Sequence, residues 1–354
     1  MSPSTSRRAT AALLTALCAG AALPAAASAK PGDLKVMTRN VYLGADLIPL
    51  AVPAPLPAFE QAAAQRFQTV LANDFPTRAK ALAAEIRKAR PDVIGVQEAT
   101  IWRRGADGVK DGPATPATQV IYDSSRELLK ALRAAGSPYR EVVGRDWFDF
   151  EAPTALGHDV RVTQRDVILV RKGSKMKVRK TFRGGFTNHF DPPTPVGVAR
   201  QLRGWVGVDG TLAKKRFRFV STHLEAYSPA IADQQMRQLL RKTLRSKKRR
   251  SILVGDYNSA PGANANDRGT TRADNAYDSA IKAGFRNNLP RRRTCCFAED
   301  LHSTAKRLET WIDHVLVRGR PKIKVLRSGI VGTRQVGGLY PSDHAGITAT
   351  LRLK

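Results

Sequence analysis

Cysteine is nearly absent. The 354 residues hold three, Cys18, Cys295 and Cys296, and the last two are adjacent. No further Cys or His falls at the intervals a structural zinc site needs, so the pair reads either as a strained vicinal disulfide or as two thiols packed in a loop. Acidic residues are scarce as well: 30 Asp and Glu face 59 Lys and Arg, for a formal charge of +29. Such a field suits polyanions (nucleic acid, anionic lipid headgroups, cell-wall phosphates), or it serves as a solvated surface that keeps the chain soluble. The sequence contains no P-loop, no Gly-rich dinucleotide fingerprint and no Ser nucleophile elbow, which sets those chemistries aside. It has no internal repeat and no long low-complexity linker. The apolar share of 42% is nonetheless enough to bury a sizeable core, which argues against disorder.

The first 29 residues stand apart. Arg7 and Arg8 precede an apolar Ala/Leu run from Ala11 to Leu23, which is followed by the small-residue stop Ala27-Ser28-Ala29. This is the pattern of a secretory signal peptide cleaved after Ala29, and the run is shorter than the roughly 20 residues a membrane anchor needs. Leu17 rather than a small residue precedes Cys18, against a lipoprotein anchor. Removing the leader takes away two Arg and no acidic residue, leaving +27. A secreted protein with a single domain over 30–354, acting as a monomer, is the expectation.

The remaining chain alternates strand and helix patterns. Strands are expected at Leu34–Asn40, Asp92–Val96, Val167–Val170, Trp205–Val208, Phe217–Thr222, Ile252–Val254, Ile312–Val317, Ile323–Leu326 and Ile347–Leu353. A turn at Asp209-Gly210 is placed between the fourth and fifth of these. Helices are expected at Phe59–Asn73, at Thr77–Arg90 beyond Pro76, at Ala117–Ala135, at Ile231–Leu244 and at Ala273–Ala283 before Gly284, with a loop over Arg183–Gly197. Strands interleaved with helices, including a hairpin, favour mixed sheets over a purely parallel one.

Polar residues gather where the apolar strands end. Asn40 closes the first strand; Gln97-Glu98 follows Val93–Val96; His223 follows Phe219–Thr222; Asp256 and Asn258 follow Leu253-Val254-Gly255. Asp313-His314 follows Trp311-Ile312, and Ser342-Asp343-His344 precedes the last strand. One such group would be a cap or a turn; six suggest a shared cleft. Glu98, Asp343 and the amide of Asn40 offer the oxygen ligands a hard divalent cation takes. Asp256 suits a general base for water, Asn258 an orienting amide, and His223 and His344 donors to phosphate or leaving group, with Asp313 holding a His in its useful tautomer. The inventory fits metal-assisted phosphate ester hydrolysis.

Asn40-Val41, Val96-Gln97-Glu98, Ser221-Thr222-His223-Leu224-Glu225, Gly255-Asp256-Tyr257-Asn258, Ile312-Asp313-His314-Val315 and Ser342-Asp343-His344 resemble, in order, the motifs of the endonuclease/exonuclease/phosphatase superfamily. That superfamily includes pancreatic-type deoxyribonucleases, apurinic endonucleases, neutral sphingomyelinases and inositol polyphosphate phosphatases. The resemblance spans nearly the whole chain after residue 34. It implies an α+β four-layer sandwich, two packed mixed β-sheets flanked by helices, with the site at one edge. It implies Mg²⁺ as the usual cofactor, with Mn²⁺ or Ca²⁺ as alternatives. Carried over, it makes Glu98 the principal metal ligand beside Asn40 and Asp343. Asp256 and Asn258 then position water and phosphate, His223 and His344 contact the phosphate, and Asp313 orients His344. Many relatives place an acidic residue that steadies a catalytic His on the strand reading Arg165–Val170; Asp166 is the candidate here, with an edge salt bridge as the alternative. His158, His189 and His302 match no motif and read as loop or surface residues, and His314 as a supporting or structural one.

Two basic segments remain. Arg245–Arg250 falls at a helix C-terminus, where cations suit the dipole. Arg291, Arg292 and Arg293 precede the cysteine pair and are the better candidates for holding a substrate phosphate. The resulting expectation is a secreted, metal-dependent phosphodiesterase acting on a polyanion, nucleic acid foremost, with an anionic lipid or membrane surface also open. The alternatives are a sphingomyelinase-like lipid phosphodiesterase and a non-catalytic basic binding module on the same fold.

Overall fold

Apolar runs without alternation, such as Val93-Ile94-Gly95-Val96 and Ile252-Leu253-Val254, suit strands covered on both faces. The computed structural model, which describes residues 32–106, 117–264, 275–287 and 289–354, places them at the centre of two stacked sheets. The expected leader lies outside the described residues.

In chain order the first half comprises β1 (Asp33–Asn40), a 3-10 turn (Ile48–Ala51), α1 (Leu56–Ala72), α2 (Phe75–Ala89), β2 (Val93–Gln97) and β3 (Ile101–Ala106). It continues through β4 (Gln119–Asp123), α3 (Ser124–Ala134), β5 (Tyr139–Pro153) and β6 (His158–Arg171). The second half runs through β7 (Lys177–Gly185), the short pair β8 (Pro193–Thr194) and β9 (Gly197–Val198), β10 (Gly204–Leu212), β11 (Lys215–His223), α4 (Pro229–Thr243) and β12 (Ser251–Asp256). A second short pair, β13 (Ser259–Ala260) and β14 (Ala263–Asn264), leads to α5 (Ala276–Lys282), β15 (Asp313–Arg318), β16 (Ile323–Val331) and β17 (Gly346–Leu353).

One sheet has the order β16-β17-β1-β2-β6-β3-β4, with β5 also paired to β6; the other is β15-β12-β11-β10-β7. Both are mixed, since β1 runs parallel to β2, β11 parallel to β12, and their other neighbours antiparallel. Between the sheets, Leu34, Val36, Val93 and Ile168 of the first meet Val206, Val208, Phe219, Ile252 and Val315 of the second. Each such side chain contributes about 1.5–3 kcal/mol when fully buried. The outer face of the first sheet carries α2 and α3, through Leu82, Ile86, Leu128 and Leu132 against Ile94 and Leu169. The outer face of the second carries α4 and α5, through Met236, Leu239 and Ala280 against Val220, Leu253 and Leu316. The four-layer arrangement of two packed mixed sheets with flanking helices is therefore the observed fold.

Besides β3, β5, the start of β6 and most of β7, which the strand pattern does not announce, four details differ from expectation. Residues 117–135 are not one helix: Val120-Ile121-Tyr122, β-branched and aromatic, pair with β3 as β4, and Asp123 then caps α3 by accepting from Arg126 N at 3.0 Å. The β10–β11 turn falls at Ala213-Lys214 (φ 48° and 60°) rather than Asp209-Gly210, the left-handed pair that matches strand twist in a two-residue hairpin. Pro76 lies inside the first turn of α2, where its missing N–H costs nothing. The Arg183–Gly197 loop loses its first three residues to β7 and three more to the β8–β9 pair.

Candidate active site

Parallel pairing sends chain ends the same way. Asn40 faces Gln97 at the C-terminal ends of β1 and β2, and His223 faces Asp256 at the ends of β11 and β12. β15 enters antiparallel to β12, so its first residue, Asp313, pairs with Asp256 at the same edge. The loop before β17 brings Asp343 and His344 there, with Ser342 Oγ donating to Asn40 O at 2.9 Å. Between β2 and β3 the chain leaves the ladder, although both strands pair with β6. Glu98 stands in that gap with φ 58°, a left-handed conformation that is costly for a side-chain-bearing residue.

The carboxylates of Glu98 and Asp256 are bridged by one amide. Asn40 Nδ2 donates to Glu98 Oε1 at 2.9 Å and to Asp256 Oδ2 at 3.1 Å, while Asn40 Oδ1 accepts from Tyr42 N at 2.9 Å. In this orientation Asn40 presents its nitrogen to the carboxylates rather than the ligand oxygen expected from sequence; half a turn of the amide exchanges the two. Glu98 Oε2 accepts from Leu43 N at 2.8 Å. Asn258, at φ 48°, donates from its backbone to Asp256 Oδ1 at 2.9 Å, and its Nδ2 donates to Leu224 O at 3.0 Å.

Two histidines flank Asp256 in different electrostatic settings. His344 Nδ1 lies 2.8 Å from Asp313 Oδ2, and its Nε2 lies 3.7 Å from Asp256 Oδ2. Burial opposes a charge on this ring, but the Asp313, Asp343 and Asp256 carboxylates outweigh it and hold its pKa well above the ordinary value. His223 Nε2 lies 3.6 Å from Asp256 Oδ2 and 3.9 Å from Glu98 Oε1. Burial, then the Arg203 and His344 charges, push its pKa well below the ordinary value. Arg203 Nη1 donates to His223 Nδ1 at 2.8 Å, which leaves the His223 proton on Nε2, the nitrogen nearer the two carboxylates.

Burial likewise raises the Asp256 carboxyl to about 7; His344 opposes the rise, while Asp313 and Glu98 add to it. Asp343 is raised to about 6 by burial, against His344 and with help from Glu98. A cluster of carboxylates that resist ionisation together is one that a cation would relieve. Glu98, His223 and Asp256 have ligand atoms within 4.8 Å of one another, as do Asp256, Asp313 and His344. With Asp343 in the same wall, the oxygen-rich set fits a hard divalent ion.

The cleft over these groups has a volume of about 670 Å³ and is lined by Glu98, His223, Asp256, Asn258, Asp343 and His344. Asn40 and Asp313 are fully buried just behind it. The sequence reading missed Arg203, Gln164, Tyr42 and Tyr227, which also line it. Arg203 carries no motif of its own; it sits beside the catalytic edge because Gly204 pairs with His223. Asp166 does not touch a histidine. Its Oδ2 accepts from Trp147 Nε1 at 3.0 Å, burial raises its carboxyl to about 7, and the Arg203 charge and the Glu98 backbone N–H oppose that rise. Its influence toward His223 is electrostatic, by way of the Arg203 charge, and not a hydrogen bond.

Arg291, Arg292 and Arg293 are not among the residues lining the cleft. Arg292 instead borders a separate small cavity with Asn287, Leu289 and Trp311. Cys295 and Cys296 form a vicinal disulfide in the cleft wall, with Cys296 Sγ 3.8 Å from His344 Nε2. His314 is buried with Nε2 2.8 Å from Ser259 O, a structural role; His189 pairs with Asp191, and His302 is exposed. His158 opens β6, half-buried against the Phe67 ring.

Two packed mixed sheets with buried carboxylates, amides and paired histidines at one edge define a hydrolase of phosphoester bonds. The chain belongs to the endonuclease/exonuclease/phosphatase family, whose model matches residues 67–344. Among solved structures it is similar to an endonuclease/exonuclease/phosphatase family protein from Bacteroides thetaiotaomicron, at 15% identity over 91% of this chain and 98% of that one, with a TM-score of 0.56. It is similar to a mannosyl-6-phosphatase from the same organism, at 15% identity over 90% of this chain and 100% of that one, with a TM-score of 0.56. It is also similar to D. rerio TDP2 complexed with a single-strand DNA product, at 16% identity over 91% and 99%, with a TM-score of 0.51. No curated protein sequence matches it.

Proposed function

We propose that the protein is a Mg²⁺-dependent phosphodiesterase acting on nucleic acid, exported by its first 29 residues and working as a monomeric catalytic domain over 30–354. The observation that carries this reading is the grouping of Glu98, Asp256, His223 and the Asp313–His344 pair at the floor of one open cleft. Glu98, with Asp343 and Asn40 beside it, is the holder of the ion. When bound, a divalent cation stabilises charge on the phosphoryl and departing oxygens. Asp256, with a carboxyl near 7, takes the proton of the attacking water, and Asn258 keeps the Asp256 carboxylate aimed through its backbone N–H. His223 donates its Nε2 proton to a phosphoryl oxygen, and His344, kept charged by Asp313, donates to another or to the leaving group. Nucleic acid is supported by the charge of +27 that remains without the leader and by the DNA product held in the similar TDP2 structure.

The alternative of a lipid phosphodiesterase has one observation in its favour. A small apolar recess of about 30 Å³, lined by Trp102, Phe150, Val160 and Val162, adjoins the cleft and shares Leu47, Phe148 and Gln201 with it. The test is hydrolysis of duplex DNA, RNA, sphingomyelin vesicles and a small phosphodiester by the purified protein, with Mg²⁺ and with excess chelator. Cleavage of DNA or RNA that chelation abolishes is the expected result. Cleavage of sphingomyelin alone would favour the lipid reading, and full activity in chelator would remove the metal.

A further inference from the structure

The strand directions that gather the catalytic residues at one edge send a different set of side chains to the opposite end. β11 ends at His223 and begins at Lys215; β12 ends at Asp256 and begins after Arg250; β15 begins at Asp313 and ends at Arg318. Three segments therefore meet at the far pole: 213–218, 245–250 and 318–324. Together they carry thirteen Lys and Arg and no Asp or Glu. Their convergence is fixed by backbone contacts, for Arg320 N donates to Lys248 O at 3.1 Å and Arg218 N to Arg250 O at 2.8 Å. Lys215 Nζ donates to Leu353 O at 2.6 Å, which adds the end of β17 to the same pole.

Lys247, Lys248, Arg320 and Lys322 are exposed there. One nearby carboxylate, Asp209, is engaged by Arg218 at 2.7 Å and lies 3.9 Å from Arg249. Helix-dipole compensation accounts for cations at the last turn of α4 but not for those arriving from β11 and from the β15–β16 turn. None of the exposed large apolar side chains of the described residues falls in these three segments. A lipid surface or a stack of bases would call for such anchors; a phosphate backbone does not.

We propose that this pole is a second, non-catalytic binding site for the phosphate backbone of a nucleic acid. The proposal rests on the nucleic-acid reading of the cleft. Lys215 and His223 lie about 26 Å apart at about 3.3 Å per strand residue, so a short oligonucleotide cannot occupy both ends, whereas a long one can. A polymer held at the pole raises the local concentration of its own scissile bonds at the cleft.

The test compares Lys247→Gln/Lys248→Gln/Lys322→Gln with a control of equal charge change on α3, Arg126→Gln/Lys130→Gln/Arg133→Gln. Binding of a 40-base-pair DNA duplex is measured by fluorescence anisotropy across a salt series, in chelator so that no cleavage occurs. The pole variant is expected to bind at least about tenfold more weakly at low salt. Its log–log salt slope should be shallower by about 0.9 for each phosphate that is no longer neutralised. Turnover of a small phosphodiester should match the unsubstituted protein, which also shows the variant to be folded, and the α3 variant should bind DNA as the unsubstituted protein does. Unchanged DNA binding by the pole variant would overturn the proposal. So would equal weakening by the α3 variant, or loss of binding to phosphatidylglycerol vesicles with DNA binding intact. Duplex binding that depends on the pole in a protein that cleaves no phosphoester would sink the catalytic reading and leave the pole standing.

Discussion

His344 Nδ1 stands 2.8 Å from Asp313 Oδ2, and both residues are buried. That contact settles which histidine nitrogen faces the cleft, since the bonded Nδ1 leaves Nε2 directed toward Asp256. Asp313→Asn removes the charge that keeps the ring protonated. It is expected to lower phosphodiester turnover about a hundredfold, the usual worth of a positioned acid, with His344→Ala at least as severe. Steady-state kinetics on a small phosphodiester check this; turnover near the unsubstituted value in either variant would take that residue out of the reaction.

On the other side of Asp256 the partner of the histidine is a cation. Arg203→Ala frees His223 to rotate and removes the donor that keeps its proton on Nε2, so a turnover loss of about a hundredfold is expected, the scale on which misplacement of a reacting group acts. Arg203→Lys should recover part of it, because an ammonium also donates to Nδ1 although it lacks the planar fork. The nitrogen chemical shifts of His223 give a second reading: Nε2–H in the unsubstituted protein, a tautomer mixture in Arg203→Ala. Equal shifts in the two would show Arg203 to be a packing residue.

Much of the site could be read from the chain because its residues sit at the ends of strands with unmistakable apolar cores. Leu34–Asn40, Asp92–Val96 and Ile252–Val254 are each found within a residue or two of expectation, and their register delivers Asn40, Glu98 and Asp256 to one edge. β5 and the part of β6 before Val167 were hidden, since Asp146, Asp149, Arg161 and Arg165 stud them with charges that pair across strands rather than alternate with apolar residues. Arg203 was hidden for another reason. Its role follows from the antiparallel pairing of β10 with β11, a contact between residues twenty apart that no local pattern encodes. Arg291–Arg293 are a third case: Cys295, two residues on, lines the cleft, but the three arginines do not, and Arg292 borders a separate small cavity instead.

Gly255 tests how the histidine–aspartate edge is built. It has φ 144°, and a Cβ there would lie 1.8 Å from Thr222 O, the backbone of its partner in β11. Gly255→Ala must therefore part the two strands that hold His223 and Asp256 side by side. A stability loss of about 3 kcal/mol or more is expected from strain and clash together, with activity lost in the fraction that stays folded. Urea denaturation and turnover measure both. A variant with unchanged midpoint and unchanged turnover would mean that β11 and β12 tolerate separation at the site.

Metal binding should be coupled to protons, and the sign follows from the raised carboxyls. Asp256 titrates near 7 and Asp343 near 6, so in the ion-free protein both hold protons at pH 5. Because these folded values lie above those of an unfolded chain, the two groups favour the fold at low pH and lose that contribution as the pH rises through about 6 to 7. A divalent ion acts in the opposite sense, for it binds the deprotonated oxygens and releases the protons as it does so. Mg²⁺ should therefore bind weakly at pH 5, more tightly through pH 6 to 7, and level off by pH 8. The rise in Tm on adding Mg²⁺ should grow over the same interval. Titration calorimetry in buffers of different ionisation enthalpy counts the released protons directly. Asp256→Asn should lower that count near pH 6.5 and flatten the dependence. Mg²⁺ affinity that is the same at pH 5 and pH 8, with no proton release, would place the ion away from Asp343 and out of electrostatic reach of Asp256, and undo the assignment of Asp343 to its site.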